Sequence, residues 1–307
     1  MSPPTAALRI SPHVLRLPGG RCLTLGRRTL LMGVLNVTPD SFSDGGRWLE
    51  PRAAIDHGLR MLEEGADLLD IGAESTRPGG GVYGEGASFV SAQEELDRLL
   101  PVLEGIRKGT DAPLSVDTRK GAVARRVLEG GADLINDISL LSDPELGGAA
   151  AQAGCPLILM HSRGDLRSMQ KDIRFEDLFS EILDELAAAA RAAVAQGVPR
   201  EQIVLDPGIG FGKTFGQNLE LVGNLSRLRR LGHPLLLGTS RKSFLGKFGA
   251  KAGEDPLAPA ERLPGSLATA AWAAAQGTEI LRVHDVRETA QFLRVWYAIR
   301  ERSEVTP

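Results

Sequence analysis

The residues able to do chemistry in this 307-residue chain recur at one kind of place. Asn36, Glu74-Ser75-Thr76-Arg77, Asp117, Asn136-Asp137, His161, Asp206, Ser240-Arg241-Lys242 and Arg282-Val283-His284 each stand at the end of a short apolar run. One polar residue after an apolar run is an ordinary helix cap or loop residue. A whole series of them describes a pocket for a ligand rich in hydrogen-bond donors and acceptors. No order of Ser, His and Asp, or of Cys and His, suggests an activated covalent nucleophile. The stretch "NVTPDSFSDGG" (36–46) adds a long acidic loop around one aromatic, Phe42; loops of that length usually bind something or are disordered.

The elements that must position these residues are the runs themselves: Leu30–Leu35, Asp67–Ile71, Pro113–Val116, Asp133–Ile135, Pro156–Met160, Gln202–Leu205, Pro234–Leu237 and Glu279–Val283. They alternate little between polar and apolar, as strands covered on both faces do. Helical stretches separate them: Ala53–Glu64, Glu94–Lys108, Val123–Glu129, Phe175–Ala195, Leu219–Leu231, Leu267–Ala275 and Ala290–Arg300. Gly65, Gly130, Gly154, Gly197, Gly232 and Gly277 are placed as C-caps. "EEGADLLDIG" (63–72) and "EGGADLIND" (129–137) echo each other and predict one helix-to-strand corner used twice. Eight β/α units in about 250 residues favour a single-domain (β/α)₈ barrel over a doubly wound open sheet. The barrel is expected over 30–300, after a segment 1–29 and before a tail 301–307. Functional groups then belong at the strand ends, where the βα loops form the active face. The turn-rich stretch 249–265 reads as a mobile insertion.

Composition narrows the function. A net charge of −3 gives no reason to expect nucleic acid or an anionic membrane as a partner. Two distant cysteines, Cys22 and Cys155, argue for a reducing compartment and against a structural zinc site. The proline-bearing first 30 residues have no signal-peptide core, and no apolar run approaches the ~20 residues of a membrane span. A cytoplasmic protein is expected. "PGIGFGKT" (207–214) imitates a phosphate loop, but the motif needs glycine where Pro207 stands. Proline has no N–H to offer a phosphate.

The series "LMGVLNVTPDSFSDGG", "DIGAESTRPGG", "PLSVDTRK", "DLINDIS", "LMHSRG", "IVLDPGIGFGKT", "GTSRKSFLG", "RLPGSLATA" and "ILRVHDV", in this order over residues 30–286, resembles the motif series of the dihydropteroate synthase family. The resemblance implies a (β/α)₈ barrel that joins 6-hydroxymethyl-7,8-dihydropterin diphosphate to 4-aminobenzoate, giving 7,8-dihydropteroate and diphosphate. It implies Thr76, Asp117, Asn136, Asp206, Lys242, Arg282 and His284 at the pterin diphosphate. Phe42, Thr76, Arg77, Pro78, Phe211 and Ser243 belong at the 4-aminobenzoate, with the loops at 36–46 and 74–81 closing over both. Asp117, Lys242, Arg282 and His284 carry the chemistry. Mg²⁺ is expected on Asn36 and the substrate phosphates, and a homodimer through barrel helices.

The chemistry of the residues is compatible with those roles. A pterin edge presents an amino group and a ring N–H beside a carbonyl, and a bidentate carboxylate such as Asp206 accepts from both donors. Each buried polar group left unpaired costs about 1–3 kcal/mol. Arg282 has a planar guanidinium able to stack on the ring and still reach phosphate. With His284 two residues later, it gives diphosphate two donors on one side of a strand end. Two alternatives stay open: a pterin-binding barrel that transfers a methyl group to a corrinoid, and a catalytically silent pterin-binding paralogue.

Overall fold

The computed structural model describes residues 12–37, 50–74, 90–164, 169 and 173–302. A hairpin of β1 (His13–Arg16) and β2 (Cys22–Leu25) precedes eight parallel strands: β3 (Leu30–Asn36), β4 (Leu68–Gly72), β5 (Leu114–Asp117), β6 (Leu134–Asp137), β7 (Leu157–Met160), β8 (Ile203–Asp206), β9 (Leu236–Leu237) and β10 (Ile280–Val283). Their order around the sheet is β8-β7-β6-β5-β4-β3-β10-β9. The two ends meet where Leu205 N–H donates to the carbonyl of Pro234 at 2.9 Å, beside the bridge between Leu205 and Leu235. That contact closes the ring, so the fold is the (β/α)₈ barrel rather than an open sheet.

Register explains how one strand serves two environments. Parallel partners share a face, and the pairs Val34–Asp70, Asp70–Ser115 and Asp117–Asn136 fall on the lumen side. The alternate residues Leu69, Ile71, Val116, Ile135, Leu157 and Leu205 lie in the core shared with the helices. Both sets are buried, which is why the runs do not alternate. Inside the lumen the lower half is apolar: Met32, Leu68, Leu134, Ile158, Val204, Leu236 and Ile280 form one cluster with Leu15, Leu17, Leu23 and Leu25 of the hairpin. The hairpin therefore plugs the base, a role not expected of the 1–29 segment, whose prolines read as irregular chain. The upper lumen is left to polar side chains.

Seven helices follow the expected spans with local shifts, α1 (Glu50–Glu64), α2 (Ala92–Arg107), α3 (Gly121–Glu129), α5 (Leu178–Ala195), α6 (Phe215–Gly223), α8 (Leu263–Ala275) and α9 (Val286–Arg302), while α4 (Leu146–Ala153) and α7 (Ser243–Gly249) are short helices not among the expected stretches. Asp177 caps α5 through Ser180 N–H, so that helix starts later than Phe175. The stretch expected as one helix over Leu219–Leu231 is two pieces. A capping box of Thr214 and Gln217 starts α6 early, and Asn224 leaves helical geometry before a 3₁₀ segment at Leu225–Leu231. The stretch 249–265 is tied down: Arg262 donates to the carbonyls of Leu257 and Arg241 at 2.8 and 2.9 Å.

The echoed corner is one device used twice. Asp67 Oδ2 accepts from Leu31 N–H at 2.8 Å, and Asp133 Oδ2 accepts from Leu114 N–H at 2.9 Å, each aspartate closing the start of a neighbouring strand. Gly65 and Gly131 make the left-handed turns, with φ of +115° and +102°. The expected cap Gly130 stays right-handed, because the turn needs its positive φ one residue later. Arg28 holds Asp67, while Arg21 and Arg107 both hold Asp133.

Asp133 is 1% exposed, and removing it leaves two arginines facing a buried gap. Breaking a buried pair in this way costs about 3–5 kcal/mol. Asp133→Ala should lower the melting temperature by roughly 6–20 °C, at ~2–4 °C per kcal/mol. Lys251→Ala, at the exposed Lys251–Glu254 pair, should leave it within about 1–2 °C. Thermal denaturation of both variants checks this; equal shifts would contradict the corner's role.

Candidate active site

A carboxylate that belongs to none of the strand ends organises the upper lumen. Asp70, inside β4, is fully buried. Its Oδ1 accepts from Ser115 Oγ at 2.6 Å, and its Oδ2 from Asn136 Nδ2 at 3.0 Å and Arg282 Nε at 2.7 Å. Arg282 Nη2 then donates to Asp117 Oδ2 at 3.1 Å. Four strands are thus joined across the lumen by one acid. Sequence reasoning missed Asp70 because it sits within an apolar run, "LLDIG". The signal was the echo, which aligns Asp70 with Asn136; those two residues are now hydrogen-bonded partners.

The expected residues Asp117, Asn136, Asp206, Lys242 and Arg282 all come together at this level. Asn136 is 3% exposed, and with Nδ2 on Asp70 its Oδ1 is buried with no partner among the described residues. Burial pushes the Asp117 carboxyl up to about 8; Asp70, Glu95 and Asp137 add to the rise, and Arg282 opposes it. Burial lifts Asp206 to about 6 against the pull of Gly208 N–H, which donates to its Oδ1 at 2.7 Å, and of Lys242. Desolvation and Arg282 lower Lys242 to about 8. Its Nζ lies 4.3 Å from the centre of the Phe211 ring, within cation–π range. Phe211 itself packs with Ile138, Met160 and Met169 as an apolar wall.

His284 follows β10 beside this layer. Ser240 Oγ accepts from the His284 backbone N–H at 3.2 Å and faces Nδ1 at 3.1 Å. If the hydroxyl donates to Nδ1, the ring proton sits on Nε2, ready for an anion. Burial, Arg282 and Arg241 lower His284 to about 3, which favours the neutral imidazole. Of the five N–H donors of Arg282, that on Nε and one on Nη2 go to carboxylates, and Nη1 is the nitrogen we assign to a ligand. Asn36 is exposed at the end of β3 and pairs in register with Gly72. No group of three His, Cys, Asp or Glu side chains among the described residues could hold a metal ion, and the side-chain amide oxygen of Asn36 is of the hard donor type that Mg²⁺ takes together with substrate phosphates and water. Ser243 is buried as the first residue of α7. Phe42, Thr76, Arg77 and Pro78 lie outside the described residues.

Three strand-end residues serve the scaffold. Glu74 is held by Arg119 at 2.8 Å and Lys120 at 3.0 Å. Asp137 accepts from Ser139 N–H and Oγ and from Leu141 N–H. His161 is fully buried between Lys213 and Glu185.

Residues 32–284 match the family described as pterin binding enzyme. The chain is 46% identical over 281 residues to the dihydropteroate synthase of Synechocystis sp., covering 91% of this chain and 93% of that protein. The Xanthomonas albilineans dihydropteroate synthase with 4-aminobenzoic acid superposes with a TM-score of 0.85 at 42% identity, covering 94% of this chain and 99% of that one. The same organism's enzyme in complex with 7,8-dihydropteroate gives a TM-score of 0.80 at 39% identity, with 94% and 98% covered.

The raised carboxyl of Asp117 has a measurable sign. Below about pH 4 it is protonated in the folded and unfolded chain alike, and its contribution to stability is fully present. As pH rises the unfolded chain ionises first, so that contribution is lost through about 8. Asp117→Asn cannot ionise and should gain melting temperature relative to the parent across that window. A difference that stays constant from pH 4 to 8 would contradict a raised Asp117.

Proposed function

The chain belongs to the dihydropteroate synthase family of pterin-binding enzymes, and from that premise we propose how its residues carry the reaction. It is a transferase of folate biosynthesis that joins 6-hydroxymethyl-7,8-dihydropterin diphosphate to 4-aminobenzoate, giving 7,8-dihydropteroate and diphosphate. The observation that carries the residue assignment is the unpartnered Asn136 Oδ1, a buried acceptor on the lumen face beside Asp117 and Asp206. Such an atom is costly unless a ligand donates to it. The flat pterin edge supplies donors of that kind.

In this reading the pterin lies across the upper lumen. Ionised Asp206 accepts from its amino group and ring N–H, and Asn136 and Asp117 complete the edge. Lys242 donates to the carbonyl and a ring nitrogen, with Phe211 beneath its ammonium. Diphosphate sits against Arg282 Nη1 and His284 Nε2. Its arrival raises the affinity of His284 for a second proton, converting a neutral donor into a charged one as the leaving group gains charge. Magnesium held by Asn36 and the diphosphate oxygens would supply further neutralisation of that charge.

The bond between the pterin methylene carbon and the diphosphate oxygen breaks, and its electron pair leaves on oxygen. The remaining cation is delocalised over the dihydropterin and stabilised by Asp117 and Asp206. The lone pair of the aryl amine then forms the new C–N bond, and the amine sheds one proton. Ser243 receives the benzoate carboxylate. Phe42, Thr76, Arg77 and Pro78 belong to the loops that exclude water, since water would capture the cation. A homodimer is supported by the exposed apolar side chains Phe248, Trp272, Val295 and Ile299 on the adjacent helices α7, α8 and α9. Among the described residues no helix is long and apolar enough to cross a membrane, and we assign the chain to the cytoplasm.

Quantifying diphosphate and dihydropteroate in one reaction tests the division of labour. His284→Ala should slow diphosphate release by about one to two orders of magnitude, the loss of a charge-assisted donor of roughly 1.5–3 kcal/mol. Arg77→Ala and Ser243→Ala should keep that release, raise KM for 4-aminobenzoate and yield less dihydropteroate than diphosphate. Equal slowing in all three with product and diphosphate still matched would overturn the separation of the two subsites.

A further inference from the structure

The turn after β8 holds a buried lysine that no step above uses. Lys213 is 1% exposed. Its Nζ donates to the carbonyls of Phe211 at 2.9 Å and Gly208 at 3.0 Å, and it meets His161 Nδ1 at 2.9 Å. A charged ammonium has three N–H groups and no lone pair. His161 Nε2 lies 3.0 Å from Glu185 Oε2, an ionised carboxylate held at about 2 by its hydrogen bond to His161 and by Arg163, against burial; a carboxylate only accepts, so the proton is on Nε2 and Nδ1 is left to accept from Lys213. Glu185 is held in turn by Arg163, which also reaches Glu181 at 2.8 Å. Burial and Lys213 both press His161 down to about 4, in keeping with a neutral acceptor.

The same turn lies directly against the loop after β7. Gly208 and Gly212 have φ of +67° and +64°, and a Cβ on them would fall 1.8 Å from the carbonyl oxygen of His161 and 2.5 Å from that of Arg163. The Lys213 ammonium spans this contact: besides two carbonyls of its own turn, its Nζ lies 3.4 Å from the carbonyl oxygen of His161 and 2.9 Å from His161 Nδ1 on the β7 side. On the other side of the turn lie the site's own groups. Gly208 N–H fixes Asp206 Oδ1, the Phe211 ring lies under Lys242, and Gly210 N–H is held by Asn218 Oδ1 at 2.7 Å.

We propose that Lys213, received by His161 Nδ1, is a positioning residue of the reaction: it bolts the β8 turn to the β7 loop so that Asp206 meets the pterin and Phe211 keeps its place under Lys242. The proposal rests on reading Asp206 as the pterin's acceptor. Electrostatics act in the same sense. The cations facing Asp206 are Lys242, Arg282 and Lys213, and each favours its charged form. Around Lys213 itself, burial lowers its ammonium to about 7, Asp206 and Glu185 pull it up, and Arg163 and Lys242 push it down.

Two measurements test this, one on the unaltered protein. ¹⁵N NMR of histidine-labelled enzyme should show His161 protonated at Nε2 and bare at Nδ1 from pH 6 to 8; a proton on Nδ1 would overturn the proposal. Calorimetry with a pterin analogue should show Lys213→Met binding at least tenfold more weakly. Removing that charge raises the pH at which Asp206 ionises, so the loss of affinity on acidification should begin at higher pH than in the parent. His161→Leu should behave alike, and His161→Gln, which keeps an acceptor, should recover most of the affinity. A merely structural lysine would change the melting temperature and leave the pH midpoint unmoved. Should Lys213→Met fail to fold, the two His161 variants and the NMR decide. Asp206→Asn is the control: if it binds the analogue normally, the reading of Asp206 fails. If it binds weakly while Lys213→Met and His161→Leu bind normally, the positioning role fails.

Discussion

Arg282 crosses the barrel lumen between two carboxylates, with Nε on Asp70 and Nη2 on Asp117, and the rest of the site is arranged around that bridge. A guanidinium removed from water is tolerable only with close, well-aimed acceptors. Asp70 supplies one and is itself saturated by Ser115 and Asn136. The apolar plug of the hairpin beneath keeps solvent from the base of this layer, so the polar groups are forced to satisfy one another or a ligand. Their leftover capacity at the top, Asn136 Oδ1 and Arg282 Nη1, defines what the ligand must bring.

The charge balance of the layer points the same way. Asp117 is lifted to about 8, Asp206 to about 6, Lys242 is lowered to about 8 and His284 to about 3. In every case burial is the main cause. A pocket that suppresses its own charges holds them in reserve for a partner with complementary groups. A donor edge favours the carboxylates, and an anion favours the imidazolium. In the proposed reaction, substrate binding and the setting of these charges are one event, with little left to reorganise when diphosphate departs.

Much of this was written locally in the chain. The apolar runs located the strands because a doubly covered strand leaves no other pattern, and their ends located Asp117, Asn136, Asp206, Lys242, Arg282 and His284. Three things escaped for physical reasons. Asp70 was hidden by the apolar neighbours that bury it, and only the parallel between its corner and that of Asn136 betrayed it. Leu15, Leu17, Leu23 and Leu25 have the two-residue spacing of a half-buried hairpin, but prolines around them read as irregular chain. Lys213 looked like a failed phosphate lysine; its acceptors are carbonyls of its own turn and the ring and carbonyl of a histidine 52 residues away, which no local pattern records.

The account stands on Asp70 acting through Arg282 and Asn136 without touching substrate. Calorimetric titration of Asp70→Asn with a pterin analogue, alongside its thermal denaturation, tests that most directly. The substitution keeps the size of the side chain but removes the counter-charge of Arg282 and places a donor against Asn136 Nδ2 or Ser115. The account predicts a folded protein whose pterin affinity falls by at least tenfold. A folded Asp70→Asn protein that binds the analogue as tightly as the parent would contradict it.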